Sequence, residues 1–217
     1  TNRVKRVEKI SEFVPRLIDS RPNLYLYEKV RGEVMSNVID LPLFGELLSE
    51  SERFWKLQSL SLKEECDFKQ ACMKFYKTKT KQRIQLFYDN FKKSDGRESI
   101  NGEAMPLLSQ LLSNIDWNWI SEGLPVRFHG DFHFENILWS KEESRFIFLD
   151  WRQDFGGSLE TGDIYYDLAK LLHGLIVSHE LIDLGQFNLE WRTKEINYEL
   201  CRKQILVECE KFFDLWI

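Results

Sequence analysis

His129-Gly130-Asp131-Phe132-His133-Phe134-Glu135-Asn136, with Asp150 fourteen residues further on at the end of Phe146-Ile147-Phe148-Leu149, decides how this chain is read. The stretch sets a lone carboxylate, a side-chain amide and a second carboxylate at the ends of short apolar runs. Ile137-Leu138-Trp139 and residues 145–149 read as two short strands around the polar connection Ser140-Lys141-Glu142-Glu143-Ser144. A hairpin centred near Glu143 sets Asn136 opposite Asp150, so that both oxygen donors share one end and can hold a hard cation. Magnesium keeps most of its shell for water and phosphate oxygens, so one amide and one carboxylate suffice. Asp131 lies in the loop entering the hairpin and faces the same point. Phosphoryl transfer asks for this set: a carboxylate to orient and deprotonate a hydroxyl, and two oxygen ligands for magnesium on a nucleotide.

The Asp-x-x-x-x-Asn spacing with a later Asp resembles the protein-kinase layout, with Gly130 where protein kinases carry Arg. In its His-Gly-Asp form it resembles the aminoglycoside phosphotransferase and choline kinase superfamily, whose members phosphorylate small molecules. Gly162-Asp163-Ile164-Tyr165-Tyr166-Asp167-Leu168-Ala169 is similar to the pattern that follows the metal Asp in that superfamily. Residues 148–152 with Gly156-Gly157 are similar to kinase-like proteins encoded with bacterial capsule and surface-polysaccharide genes, although Trp151 stands where Pro is expected.

The resemblance implies an α+β, protein-kinase-like fold. Residues 36–217 would form a mostly helical C-terminal catalytic lobe with the hairpin embedded in it, and residues 1–35 a truncated N-terminal lobe. It implies a phosphotransferase that moves the γ-phosphoryl group of ATP (or GTP) to a hydroxyl of a small acceptor, a sugar or an aminoglycoside. Asp131 would be the catalytic base, and Asn136 and Asp150 the Mg²⁺ ligands. The Glu28 carbonyl and the Val30 amide, in the segment after the last N-lobe hairpin, would bind the adenine edge. His129, Asp163 and Asp167 would brace the loop, while His133 and Glu135 on its exposed side, with Arg152, are candidate contacts to acceptor or phosphate. From the residues alone, Asp163 is a good helix N-cap, with Ile164, Leu168, Leu171, Leu172 and Leu175 as an apolar face. Asp167 reads equally as a solvated acid on a capped surface helix.

Upstream, residues 1–10 read as an amphipathic helix in which Glu8 or Glu12 is either a kinase-like acid or part of a solvated face. Residues 14–20 and 24–32 read as strands joined by a turn at Pro22-Asn23, and Gly32 frees the chain to cross into the larger lobe. Neither a Gly-rich phosphate loop nor a following strand Lys precedes them. Gly157-Ser158-Leu159-Glu160-Thr161-Gly162 imitates P-loop glycine spacing, but Asp163 follows it, and a carboxylate there repels phosphate. The expectation is therefore a partial N-terminal lobe, in a trimmed parent or a short gene product, with weak or no turnover by this chain alone. A pseudokinase or regulatory nucleotide-binding module is the alternative.

The remainder reads as helical: residues 40–60, a long helix over 63–92, another over 103–120 with Leu111 and Trp119 inward, and a last helix running from Ile196 to Phe213. Lys74, Lys77, Lys79, Lys81 and Arg83 read as the solvated basic face of the long helix. The 217 residues are 43% hydrophobic with 16 Phe and 7 Trp, enough for a sizeable core. A net charge of −5 argues against a general nucleic-acid binder. No apolar run approaches the ~20 residues needed to cross a bilayer, and no signal peptide is evident. The four cysteines show no zinc spacing. These features point to a cytoplasmic protein without membrane insertion.

Overall fold

A cationic residue turned inward distinguishes the first helix of the computed structural model, which describes residues 2–217. Helix α1 (Asn2–Ile10) buries Arg6, Val7 and Ile10 on one face. The chain then forms the hairpin β1 (Leu17–Arg21) and β2 (Leu24–Tyr27), closed by Pro22-Asn23 where the sequence placed its turn. The strands are shorter than expected, because Val14 and Pro15 are buried in a loop before them. Strand β3 (Glu33–Val34) leads into the short helix α2 (Met35–Val38).

Helix α3 (Leu41–Phe54) starts at Asp40, whose carboxylate accepts from the Leu43 N–H at 2.8 Å, and buries Phe44, Leu47, Leu48, Ser51 and Phe54. That spacing is one stripe of an amphipathic helix. Helix α4 (Leu62–Met73) opens with a Ser61/Glu64 capping box and passes through a π-helical turn at Lys74–Thr78 into α5 (Lys79–Phe91). The expected long helix is therefore present but interrupted. The extra residue in a π turn lets two neighbours face inward together: Phe75 stacks on Phe155 at 4.3 Å, and the Tyr76 hydroxyl donates to Asp163 at 2.6 Å. Helix α5 buries nothing and ends at Lys92 in a left-handed conformation.

The single helix expected over residues 103–120 is broken. Strands β4 (Ser99–Ile100) and β5 (Glu103–Ala104) pair, then α6 (Leu108–Ser113) and α7 (Trp117–Ile120) follow as separate short helices. Pro106 disfavours helix at the residue before it. Asp95 accepts from the first N–H groups of α6, and Asp116 from Asn118 and Trp119 at the start of α7. Leu111 and Trp119 are exposed rather than inward.

Strand β6 (Pro125–Val126) enters the segment that carries Asp131, and a 3₁₀ turn at Phe134–Asn136 opens the hairpin of β7 (Ile137–Ser140) and β8 (Arg145–Phe148). Strands β3, β7 and β8 form one antiparallel sheet, while β6 pairs with β9 (Gly162–Asp163) at the start of α8 (Ile164–Ile176). After α9 (His179–Asp183), the segment expected as helix from Ile196 is instead the hairpin β10 (Phe187–Trp191) and β11 (Glu195–Leu200), before α10 (Gln204–Trp216). Its residues alternate with the period of a strand, and β11 adds in parallel to β4. The architecture is mixed α+β, and no helix among the described residues is long and apolar enough to cross a membrane.

Beneath residues 129–136 lies an aromatic cluster. Phe132 packs edge-on to Phe148 at 5.0 Å and to Trp55 at 5.1 Å, and Phe13 stacks on Phe148 at 5.8 Å. Each such side chain contributes roughly 1.5–3 kcal/mol through burial alone, which fixes the floor on which the loop rests.

Candidate active site

The loop of residues 129–136 is held from below by buried polar groups. Asp167, one turn into α8, is fully buried and accepts from the His129 N–H and the Gly130 N–H, both at 2.6 Å, and from Trp55 Nε1 at 3.0 Å. Burial pushes its carboxyl up to about 6 against those hydrogen bonds. It is therefore not the solvated surface acid that was the other reading. His129 is also fully buried. Its Nε2 faces the Leu149 carbonyl at 2.8 Å, and its Nδ1 accepts from the Asp131 N–H at 3.2 Å, which requires the neutral tautomer with the proton on Nε2. Burial, aided by Arg6, depresses its pKa to about 3. Gly130 has φ +90°, and a Cβ there would lie 2.5 Å from Arg152 Cβ, so only glycine fits.

Arg6, on α1, completes this support and was not singled out from sequence. Its guanidinium donates to the carbonyls of Phe128, Arg152 and Leu159, and lies 3.8 Å over the Phe128 ring. Its pKa falls to about 10 through burial, so it remains charged at neutral pH. Asp163, in contrast, braces a neighbouring region. It accepts from Leu124 N, Tyr165 N and the Tyr76 hydroxyl, joining the π turn to the start of α8 without touching the loop.

The hairpin forms, but its register differs by one from expectation. Ile137 pairs with Phe148 and Ser140 with Arg145, so Asn136 falls opposite Leu149, whose N–H donates to the Asn136 carbonyl at 2.8 Å. The connection is one residue shorter than a Glu143-centred turn because Ser144 takes a left-handed conformation, φ +50°. Asp150 follows at φ +55°, turned out of the strand, and its exposed carboxylate pairs with Arg3 at 2.5 Å. Asn136 Nδ2 donates to the Asp131 carbonyl at 2.9 Å and lies 3.4 Å from its carboxylate.

Around Asp131 the loop carries paired charges. Lys170, one turn beyond Asp167, reaches its carboxylate at 2.8 Å; His133 lies 3.7 Å from it and 2.8 Å from Glu135. Partial burial works to raise the Asp131 carboxyl, but His133 and Lys170 outweigh it and hold it well below the usual carboxylate range. His133 is lowered by burial and raised more by Asp131 and Glu135, to about 9. His133 and Glu135 are half-buried and bonded to each other, not on an exposed side of the loop as expected. Lys170 could have been found from its spacing: three residues after Asp167, it shares that helical face.

Asp131 and Asp150 line a cavity of about 720 Å³ with Arg3, Lys74, Lys79 and Arg152. Two of the five residues read as a solvated basic face are thus part of its wall. Glu28 and Val30 border a different cavity, with Arg16, Arg31 and Glu142 near the hairpin tip, and Glu28 pairs with Arg16 at 3.1 Å.

A model of the phosphotransferase enzyme family, APH, matches residues 64–191, and the chain belongs to that family. The match contains the loop, the hairpin, Asp150, Asp167 and Lys170. No curated protein and no solved structure matches the chain.

Proposed function

We propose that the protein moves the γ-phosphoryl group of ATP (or GTP) to a hydroxyl of a small acceptor, with Asp131 as the catalytic base. The observation that carries this reading is the Asp131 carboxylate, 37% exposed, kept ionised by Lys170 and His133 and lining the same cavity as Asp150. Ionised at neutral pH, the carboxylate can orient the acceptor hydroxyl; held so low it is a weak base, so it would take the proton only late, as the phosphoryl group crosses a loose transition state. His129, neutral and buried, holds the loop and does not exchange protons at neutral pH.

Asn136 and Asp150 supply an amide and a carboxylate oxygen, the hard donors that Mg²⁺ selects. Among the described residues no group of three or more His, Cys, Asp or Glu gathers to hold a metal. This donor set suits a magnesium ion that arrives with the nucleotide phosphates and offsets their charge. Asp150 would have to release Arg3 to hold that complex. The Glu28 carbonyl and Val30 amide are the proposed purine contacts, on the cavity near the hairpin tip rather than the one that Asp131 lines. The Arg3–Asp150 pair favours one second reading, a regulatory module that binds nucleotide without turnover.

Asp150→Ala tests the metal assignment. Calorimetric titration with ATP in the presence and absence of Mg²⁺ should show metal-dependent affinity in the wild type and its loss in the variant. Equal affinity and equal metal dependence in the two proteins would refute the assignment.

A further inference from the structure

The chain is acidic overall, at −5, yet the cavity beside Asp131 holds cations that, among the described residues, form no ion pair. Of its cations, Arg3 is engaged by Asp150, while Asp131 is engaged by Lys170. Lys74, Lys79 and Arg152 remain. Among the described residues none of the three has a carboxylate oxygen within 4.0 Å. Arg152 donates to neutral acceptors, the Gly130 carbonyl at 3.2 Å and the Tyr166 hydroxyl at 3.1 Å. The other acid of the wall, Asp154, accepts from the Gly157 N–H at 3.0 Å.

Lys79 and Arg152 are packed into the wall, while Lys74 lines it exposed. The π turn and the start of α5 present Lys74, Phe75, Thr78, Lys79 and Gln82 to the cavity as one face. Phe75 is buried against Phe155, and both Lys79 Nζ, at 4.1 Å, and Arg152 Cζ, at 5.1 Å, pack against its ring. Burial and the nearby Arg152 and Arg83, working against Asp154 and Asp131, lower the Lys79 ammonium to about 8. Half-buried like charges gathered on one rigid aromatic repel each other, and a bound anion relieves that cost. A cavity of about 720 Å³ has room for a sugar-sized molecule whose hydroxyl meets Asp131.

We propose that the acceptor carries a negative group of its own, a carboxylate or a phosphate, seated on Lys74, Lys79 and Arg152 while its hydroxyl faces Asp131. The assignment rests on the phosphotransfer reading and adds the charge class of the substrate, against a cationic aminoglycoside. The test is equilibrium binding of glucuronate, glucose 6-phosphate, glucose and glucosamine to the full chain, with and without Mg²⁺ and a non-hydrolysable ATP analogue. The same titrations are made on Lys74→Gln/Lys79→Gln. The acidic sugars should bind at least about tenfold more tightly than glucose, with glucosamine weakest, since a charged hydrogen bond supplies that much. The double variant should lose that preference and keep its affinity for the analogue; glucuronate against glucose 6-phosphate tells carboxylate from phosphate. Equal binding across the four, including none by any, overturns the proposal, as does a preference unchanged in the double variant. Loss of analogue affinity in that variant also overturns it, by giving the cations to the nucleotide. An anion preference without any binding of the analogue would instead refute the phosphotransfer reading and leave the anion site standing.

Discussion

On its inner side the loop of residues 129–136 meets Asp167, His129 and Arg6, all fully buried and all directing their polar atoms at backbone groups. On its outer side Asp131, His133, Glu135 and Lys170 are half-exposed and pair with one another. The inner groups shift toward their neutral forms, His129 down and Asp167 up, because burial dominates. Asp131, His133 and Glu135 on the outer side shift toward their charged forms because partners outweigh burial. One half of the loop thus sets backbone position and the other holds charge ready at the cavity. A peptide segment of eight residues supports both because Gly130 turns the chain between them at φ +90°.

The largest effect should come from the inner side. Asp167→Ala leaves the His129 and Gly130 N–H groups and the Trp55 indole without their acceptor in a buried site. At about 1–3 kcal/mol for each of the three unsatisfied groups, a loss of about 3–9 kcal/mol is expected in denaturant unfolding. Asp167→Asn, which keeps an acceptor oxygen, should lose less. The pH dependence has a definite sign. The Asp167 carboxyl is raised in the folded state to about 6, so the native protein binds the extra proton and stability falls as pH rises from about 4 to 6. Asp167→Asn should remove that slope; an unchanged slope would show that the carboxyl is not the group responsible.

A smaller effect belongs to the outer side. His133, raised to about 9, contributes stability that is complete below its unfolded value near 6.5 and is lost as pH rises through about 9. The imidazole is partly exposed, so after screening the contribution is on the order of 1 kcal/mol. NMR titration should place His133 well above an ordinary histidine in the wild type, and Glu135→Gln should bring it down. An ordinary value in the wild type would break the contrast between the two sides.

Much of this arrangement was legible in the chain. The hairpin followed from two apolar runs around a polar connection, and Asp163 as an N-cap followed from its place before the stripe of Ile164 and Leu171. The register did not, because the left-handed Ser144 shortens the turn and nothing in its side chain announces that conformation. Arg6 and Arg3 act across more than a hundred residues, and such contacts leave no local pattern. Lys74 and Lys79 carried the composition of a solvated face, and Lys74 is exposed; the π turn that sets both along the cavity depends on Phe155 and Asp163, contributed from elsewhere. The hairpin of β10 and β11 was readable from its alternation, but Ile196 and Leu200 also fit helical spacing. The helix expected over residues 103–120 gave way to Pro106 and to caps supplied by Asp95 and Asp116.

The division between the two sides makes its strongest claim at Asp131, and one paired measurement addresses it: acceptor-dependent phosphate transfer beside Mg²⁺–nucleotide affinity, for a turnover-competent form with a complete N-terminal lobe and its Asp131→Asn variant. The substitution keeps the size and the contacts to Lys170 and Asn136 in outline but removes the charge and the proton acceptor. Transfer should fall by roughly 10²–10⁴, the range for a general base, with nucleotide affinity and unfolding midpoint little changed. Retained transfer would contradict the assignment of Asp131 as the base, and a joint loss of nucleotide affinity would move it among the metal ligands.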